Sequence, residues 1–283
     1  IEIWRPLSGA VQRSGWVILM PGLGGSQEHF RWLARALSPQ GWAVVVLEHP
    51  GSDDRAVKEL IEGRTPLPGA EVLPDRLADL HAVISAQSEG RLEVPGKKVV
   101  LMGHSLGALT ALLASGAYPE TGLKERCEKA FDDLSLTNLS KLLQCQLTDV
   151  TLKKNDFDFE LQAIIGLNSF GSLLWPNQGD AFIPVPVLLV GGTLDLITPP
   201  LSEQLNLLLA TTSHPASRAL LIEGASHFSP IRVEGQIGAD RGDDLFQLSE
   251  KFVGIQPLQV QKLIAKEIQE FLEDVEAGKG IKS

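Results

Sequence analysis

Short apolar runs that alternate with helix-like segments constrain the fold of this chain more than any other feature. Residues 15–20 (GWVILM) and 42–47 (WAVVVL) contain no charged side chain. Such runs are typical of strands that are buried on both faces, as in parallel sheets. Residues 71–87 instead carry Leu or Ile at every third or fourth position, which predicts an amphipathic helix. The alternation predicts an α/β fold: a mostly parallel sheet with helices on both faces.

The same alternation continues to the end of the chain, with two interruptions. Further strands are predicted at 98–102, 162–167, 185–190 and 219–222, and further helices at 26–37, from about 105, at 199–209 and near the C-terminus. Residues 117–160 are leucine-rich and lack a clear strand, and we interpret them as an inserted cap. A second insert is expected at about 229–255. We therefore expect one domain over residues 1–283 that carries the cap.

Charge and cysteine content exclude several classes of function. The formal net charge is −10, which argues against a nucleic-acid partner and disfavours docking on anionic membranes. No apolar run reaches the ~18 residues of a membrane span. Two cysteines are too few for a disulfide scaffold or a four-cysteine zinc site. Cys127 and Cys145 can form either a reduced pair or one disulfide. The disulfide would indicate an oxidising compartment and export, and the compartment is otherwise open.

A nucleophile motif follows the predicted strand at 98–102. Gly103-His104-Ser105-Leu106-Gly107 fits G-x-S-x-G, and an Ala/Leu-rich helical run follows it. In that motif a tight turn between strand and helix exposes the serine hydroxyl at the carboxyl edge of the sheet. The alternative is a Gly-rich strand–helix turn without chemistry. The flanking strand and helix favour Ser105 as a nucleophile.

Position along the chain selects the base for Ser105. A serine hydroxyl needs a base, and in this motif the base comes later in the chain. Four of the six histidines precede Ser105; among them, His104 lies inside the turn, where we expect its side chain to point elsewhere. His214 precedes the last strand, whereas His227 follows it, at the end of the sheet where ligands bind. His227 is the predicted base.

Asp195 is the predicted carboxylate partner of His227. It directly follows the strand at 185–190, within Gly191-Gly192-Thr193-Leu194-Asp195. A carboxylate there would fix the imidazole tautomer and stabilise its positive charge. Asp180 is the competitor, but it precedes a strand and should lie at the opposite end of the sheet.

Two backbone N–H groups are predicted to stabilise a developing oxyanion. One belongs to Leu106, next to the nucleophile. The other belongs to Leu23 in Pro21-Gly22-Leu23-Gly24-Gly25, where the glycines allow a close backbone approach. The alternative, a phosphate-binding loop, lacks the G-x-x-x-x-G-K pattern.

These segments carry a family resemblance over nearly the whole chain. The stretch at 21–53, GHSLGALTALL, LLQCQ and LLIEGASHFS resemble α/β-hydrolases, in particular dienelactone-hydrolase-like proteins allied to platelet-activating factor acetylhydrolase. Three departures matter. Dienelactone hydrolase itself uses a cysteine where this chain has Ser105. The acetylhydrolase takes its acid from the position of Asn168, which has no carboxylate. Members usually have His-Gly where this chain has Pro21-Gly22.

The sequence thus predicts a serine esterase that acts on a small-molecule ester or lipid-like substrate. We expect Leu139, Leu142 and Leu143 of the cap to line an apolar substrate site. No cofactor is expected, and Asp240, Asp243 and Asp244 lack the spacing of a calcium loop. A thioesterase or amidase would use the same residues, and a non-catalytic binding protein with this fold is the alternative from another class. The oligomeric state is open.

Overall fold

A seven-stranded sheet forms the centre of the molecule. The computed structural model describes residues 1–66, 68–132, 139–152, 159–176, 183–231 and 255–278. The strands run in the spatial order β1-β3-β2-β4-β5-β6-β7. Only β1 is antiparallel to its neighbour, and the other five pairings are parallel. Their bounds are β1 Glu2–Trp4, β2 Gly15–Met20, β3 Ala43–Val46, β4 Lys98–His104, β5 Glu160–Leu167, β6 Val187–Gly192 and β7 Arg218–Ile222. The predicted α/β fold with a mostly parallel sheet is confirmed.

Helices connect the parallel strands. They are α1 Arg31–Leu37, α2 Asp54–Ile61, α3 Leu73–Ser88, α4 Leu106–Ala114, α5 Leu123–Asp132, α6 Ser140–Gln146, α7 Asn206–Thr211 and α8 Pro257–Glu276. A π-helical turn, Pro200–Leu205, leads into α7, and 3₁₀ turns occupy Gln27–Phe30, Ser38–Gln40, Ala70–Val72, Leu147–Asp149 and Ser229–Ile231. Every strand that the sequence predicts is present, within about two residues at each end.

The helices pack on both faces of the sheet because successive strand residues point to opposite sides. In β2, Trp16 and Ile18 belong to a core that includes residues of α3, α4 and α7. Val17 and Leu19 belong to a second core, with residues of α1 and α8. Burial on both faces explains why these strands are continuously apolar.

The described part of the predicted cap consists mainly of α5 and α6. Cys127 in α5 and Cys145 in α6 form a disulfide, with their Cα atoms 5.6 Å apart. A second anchor comes from Glu203, whose Oε1 accepts hydrogen bonds from Ser140 Oγ (2.9 Å) and Gln144 Nε2 (3.2 Å). Glu203 itself is fully buried. These contacts hold α6 against the π-helical turn that follows β6.

Within the ranges given above, no helix combines the length and the apolar character needed to cross a membrane. Most of the predicted second insert at 229–255 lies outside the described residues, as do Asp180, Asp240, Asp243 and Asp244.

Candidate active site

Ser105 occupies a sharp turn between β4 and α4. Its backbone has φ 51° and ψ −118°, in the region that L-residues rarely adopt. Its N–H donates to Leu167 O at 2.9 Å, which ties the turn to β5. The turn has no room for a side chain at either glycine of the motif. A Cβ at Gly103 would overlap the backbone of Gly107, and a Cβ at Gly107 would overlap the carbonyl oxygen of Met20. The turn therefore has the strained geometry of a nucleophile elbow.

His227 and Asp195 form a buried hydrogen-bonded pair at the same end of the sheet. Asp195 follows β6 and His227 follows β7. His227 Nδ1 lies 2.9 Å from Asp195 Oδ2, and the two residues are only 4% and 2% exposed. Because a carboxylate accepts this bond, the Nδ1 atom carries the proton, and Nε2 is left as the basic nitrogen.

Several donors converge on the Asp195 carboxylate. Oδ1 accepts the backbone N–H groups of Ile197 (2.9 Å) and Thr198 (2.8 Å). Oδ2 accepts the Thr198 hydroxyl at 2.6 Å and Asn168 Nδ2 at 2.7 Å. Burial favours a higher pKa for Asp195, but the adjacent His227 and the hydrogen bonds from His227 and Thr198 outweigh it, so the pKa lies below its ordinary value. Asp195 is thus held as the anion.

Contact between Ser105 and His227 is indirect in this structure. Among the described hydrogen bonds, none joins the Ser105 hydroxyl to the His227 ring. Catalytic hydrogen bonds are often loose before substrate binds. The link that is present runs through His104, whose Nε2 lies 2.9 Å from His227 O, with the two rings 4.9 Å apart.

The sequence predicted that the His104 side chain points away from the site. In the structure it instead contacts the backbone of His227. A carbonyl oxygen can only accept, so Nε2 of His104 carries a proton and donates to the loop that holds His227. Burial, followed by repulsion from His227, lowers the pKa of His104 to about 3, and the ring is neutral at physiological pH.

The loop predicted to supply an oxyanion donor lies against Ser105. A Cβ placed on Gly22 would lie 3.1 Å from Ser105 Cβ. Gly24 N–H donates to Ser52 O at 2.9 Å, and Gly25 N–H closes the turn on Gly22 O at 3.1 Å.

The predicted donors themselves are both available. For the backbone N–H groups of Leu23 and Leu106, the described part of the chain supplies no hydrogen-bond acceptor. Leu106 is the first residue of α4, and such a helix start commonly binds negative charge.

The three cap leucines lie in two kinds of environment. Leu139 and Leu142 are 44% and 41% exposed at the start of α6 and within it. Leu143 is partly buried against the core formed with α3, α4 and α7. Leu139 is next to Ser140, whose N–H donates to Ile197 O at 3.1 Å, so this end of α6 lies beside the loop that carries Asp195.

Sequence reasoning missed Thr198 and Arg76, and it considered Asn168 only as the position of the acid in the resembled acetylhydrolase. Thr198 and Asn168 hold Asp195, and Arg76, a buried residue of α3, contacts the Pro21 carbonyl. Only Thr198 had a local signal, because a Thr three residues after an Asp can bond back to it. The partners of the other two lie 27 and 55 residues away in sequence.

No set of three or more His, Cys, Asp or Glu side chains in the described ranges is arranged to hold a metal ion.

A match to a family model shows the family of this chain. No curated protein matches the sequence. One solved structure, an alpha-beta serine hydrolase homologue from Coxiella burnetii, is 14% identical, with 94% of this chain and 89% of that chain covered at a TM-score of 0.48. A model of the alpha/beta hydrolase family matches residues 17–234, which include most of β2, all of β3 to β7 and the positions of Ser105, Asp195 and His227. The chain therefore belongs to the alpha/beta hydrolase family.

Proposed function

We propose that the protein is a serine hydrolase that cleaves carboxylic esters. The observation that carries this proposal is the buried His227–Asp195 pair, which lies at the same edge of the sheet as Ser105 in its strained turn. A desolvated imidazole with a fixed tautomer is what a serine nucleophile needs to lose its proton. Ser105, His227 and Asp195 are the proposed triad.

In the proposed reaction, the Ser105 hydroxyl attacks the ester carbonyl carbon while His227 Nε2 takes its proton. His227 then gives this proton to the departing alcohol as the ester C–O bond breaks. Water then attacks the acyl carbon while His227 Nε2 takes its proton, and this proton passes to Ser105 Oγ as the acyl C–Oγ bond breaks, which releases the acid and restores the enzyme. Asp195 stays ionised throughout and stabilises the imidazolium.

The backbone N–H groups of Leu23 and Leu106 are the proposed oxyanion hole. Negative charge that develops on the carbonyl oxygen would be stabilised by two fixed donors, one from each side of Ser105. The proposal is supported by the absence of other described acceptors for these N–H groups and by the close approach of Gly22 to Ser105.

Residues 117–160 are proposed to be a cap on one domain, and Leu139, Leu142 and Leu143 are proposed to contact the acyl or alcohol group. The position of α6 beside the Asp195 loop supports this.

We further propose an affiliation with the dienelactone-hydrolase-like proteins, on the motifs given above. Export is proposed from the Cys127–Cys145 disulfide, since disulfides persist in oxidising compartments.

Labelling and turnover test the proposal together. We expect a fluorophosphonate probe to modify the wild type at Ser105, located by peptide mass spectrometry, and p-nitrophenyl esters of graded acyl length to be hydrolysed. Ser105→Ala should abolish both while thermal unfolding is unchanged, because Ser105, although only 8% exposed, lies outside both apolar cores. Ser115→Ala, a serine at the far end of α4, is the matched control and should retain activity.

Three outcomes would contradict the proposal. Labelling without turnover of any p-nitrophenyl ester, but with turnover of thioesters or anilides, would move the assignment to a thioesterase or amidase. No labelling and no turnover would indicate a binding protein. Retention by Ser105→Ala of more than a few per cent of kcat would require another nucleophile.

A further inference from the structure

Arg76 is a buried cation whose hydrogen bonds all go to uncharged groups. It lies on α3 and is 1% exposed. Among the described ion pairs, none includes Arg76; Asp79 acts on it only at longer range. Burial of a charge is expensive unless its surroundings compensate it. A guanidinium at such a place needs an explanation beyond packing.

The three nitrogens of Arg76 reach three different segments. Nε donates to Thr110 Oγ1 at 3.1 Å, Nη1 to Ser52 Oγ at 2.8 Å, and Nη2 to Pro21 O at 2.5 Å. Since the guanidinium group is planar, these three bonds fix the relative positions of α4, the loop after β3 and the loop after β2.

Each of these contacts leads to the proposed oxyanion hole. Pro21 O lies two residues before Leu23. Ser52, through its carbonyl oxygen, accepts the N–H of Gly24, the residue after Leu23. The loop around Leu23 is therefore held on both sides by contacts that meet at Arg76.

The third contact reaches the other donor. Thr110 Oγ1 donates at 2.8 Å to the carbonyl oxygen of Leu106, one turn earlier in α4. The hydroxyl thus accepts from Arg76 and donates to the residue whose N–H is the second proposed oxyanion donor. Arg76 is therefore the common member of the contacts that lead to the two proposed donors.

We propose that Arg76 is a positioning residue that sets the spacing between the Leu23 and Leu106 N–H groups of the oxyanion hole. This inference rests on the proposed function. The proposal explains why a charged side chain is buried beneath the loop. Three directional hydrogen bonds from one planar group fix the position of the loop more closely than apolar packing would. The opposing view is that Arg76 only stabilises the fold.

Kinetics of two Arg76 variants separate the two views. Arg76→Lys keeps the charge but loses the planar fork, and Arg76→Met loses both charge and donors. We expect kcat for a p-nitrophenyl ester to fall about 10- to 100-fold in Arg76→Lys, less than the ~10²–10³-fold for outright loss of a donor. KM should change by less than about threefold, because the substrate carbonyl needs the donors mainly in the transition state.

A transition-state analogue supplies a readout that a structural role would not move. A trifluoromethyl ketone forms a tetrahedral adduct whose oxyanion occupies the hole, and its inhibition constant should rise in Arg76→Lys in parallel with the fall in kcat/KM. The inhibition constant of the product carboxylic acid should change much less. Arg218→Lys is the matched control: Arg218 also spans two elements, from β7 to Glu267 and Asp274 of α8, away from the site.

A further variant keeps the test decisive if both Arg76 variants fail to fold. Thr110→Val preserves shape and removes the hydroxyl that accepts from Arg76 Nε and donates to Leu106 O, while the bonds from Arg76 to Ser52 and Pro21 stay, and kcat should fall about 3- to 10-fold. The proposal is overturned if kcat and the ketone affinity stay within about twofold of the wild type in Arg76→Lys, or in Thr110→Val where Arg76→Lys does not fold. Wild-type enzyme that neither labels nor turns over would instead contradict the proposed function, and the inference would fall with it.

Discussion

At the scale of single residues, the side chains at the two positions considered for the proposed acid, 168 and 195, are in direct contact. Asn168 follows β5 and Asp195 follows β6, yet Asn168 Nδ2 lies 2.7 Å from Asp195 Oδ2. Adjacent parallel strands end side by side, so a carboxylate at the end of either strand lies near the same imidazole. The resemblance noted above would place the acid at position 168, and this geometry is consistent with the proposed alternative at Asp195.

An exchange of the two side chains tests this view. Asp195→Asn should lower kcat by a large factor, up to ~10⁴ by comparison with a protease triad. Adding Asn168→Asp should restore activity at least about tenfold, because the new carboxylate has an amide neighbour in place of Asp195. Steady-state kinetics on one p-nitrophenyl ester measures both effects.

The single variant Asn168→Asp is the control for the exchange. It places two carboxylates together, which disfavours ionisation of both and should lower activity or stability. If Asp195→Asn keeps nearly full kcat, Asp195 is not the acid. If the double variant recovers nothing while remaining folded, the two positions are not equivalent.

Residue identities in the site could be predicted only where a local motif exists. Ser105 was predicted from its turn, and His227 and Asp195 from their places after strands. The contacts of His104 with His227 and of Arg76 with Pro21 join residues 123 and 55 positions apart. No periodicity encodes such pairs, since they depend on how the strands are ordered in the sheet.

At the scale of elements, α6 presents two kinds of leucine. Glu203 and the disulfide to α5 hold the helix in place. Leu143 then packs on the core, while Leu139 and Leu142 remain more than two-fifths exposed. An anchored helix with exposed apolar side chains beside the Asp195 loop is suited to contact an apolar substrate.

Alanine substitutions should separate these two kinds of leucine. Leu139→Ala and Leu142→Ala should change the preference among p-nitrophenyl esters of different acyl length, while the free energy of unfolding falls by less than about 1 kcal/mol, because little area is lost from the core. Leu143→Ala should change the same preference but also lower the free energy of unfolding by about 1–3 kcal/mol, because Leu143 packs against the core. Acyl-length profiles and urea unfolding measure the two effects.

Leu209→Ala, at an exposed leucine of α7, is the control for surface hydrophobicity. Unmoved acyl-length profiles in both exposed-site variants would leave α6 as structure alone.

The sequence predicts those strands whose two faces are both buried in the sheet. It does not predict a strand that forms only through pairing with a segment distant in sequence. The bounds of β2 match the apolar run at 15–20. Strand β1, with the sequence EIW, is too short to show a pattern and forms by antiparallel pairing with β3, at least 40 residues later. The helix predicted at 199–209 begins as a π-helical turn and becomes α-helical only from Asn206. In that turn, the side chains of Glu203 and Gln204 accept hydrogen bonds from the loop after β5.

At the scale of the whole molecule, the fold buries two neutral imidazoles that the unfolded chain would expose. His49 and His104 are 2% and 3% exposed, and burial is the main cause of the low pKa of each, about 4 and about 3. Arg76 also lowers the pKa of His49, whereas the hydrogen bond from Nδ1 to Asp79 opposes it. Their ordinary value in an unfolded chain is about 6.5.

Stability should therefore fall as the pH falls below about 6.5. In that range the unfolded chain binds protons at both histidines and the folded protein does not, so protonation favours unfolding. Each contributes about 1.4 kcal/mol per pH unit, or about 2 kcal/mol each between pH 6.5 and pH 5. Asp195 acts in the same direction only at lower pH: its lowered pKa stabilises the fold above the ordinary carboxyl range, and that contribution is lost as the pH falls through the folded-state value.

Urea unfolding at pH 7, 6 and 5 measures this dependence. We expect the free energy of unfolding to fall by about 3–4 kcal/mol between pH 7 and pH 5 from these two groups. His49→Gln and His104→Gln should each reduce the slope by about half whatever they do to the stability at pH 7, because each removes one group that only the unfolded chain protonates. A wild-type profile that is flat over this range, or a slope unchanged in both variants, would show that the folded protein can protonate these buried rings.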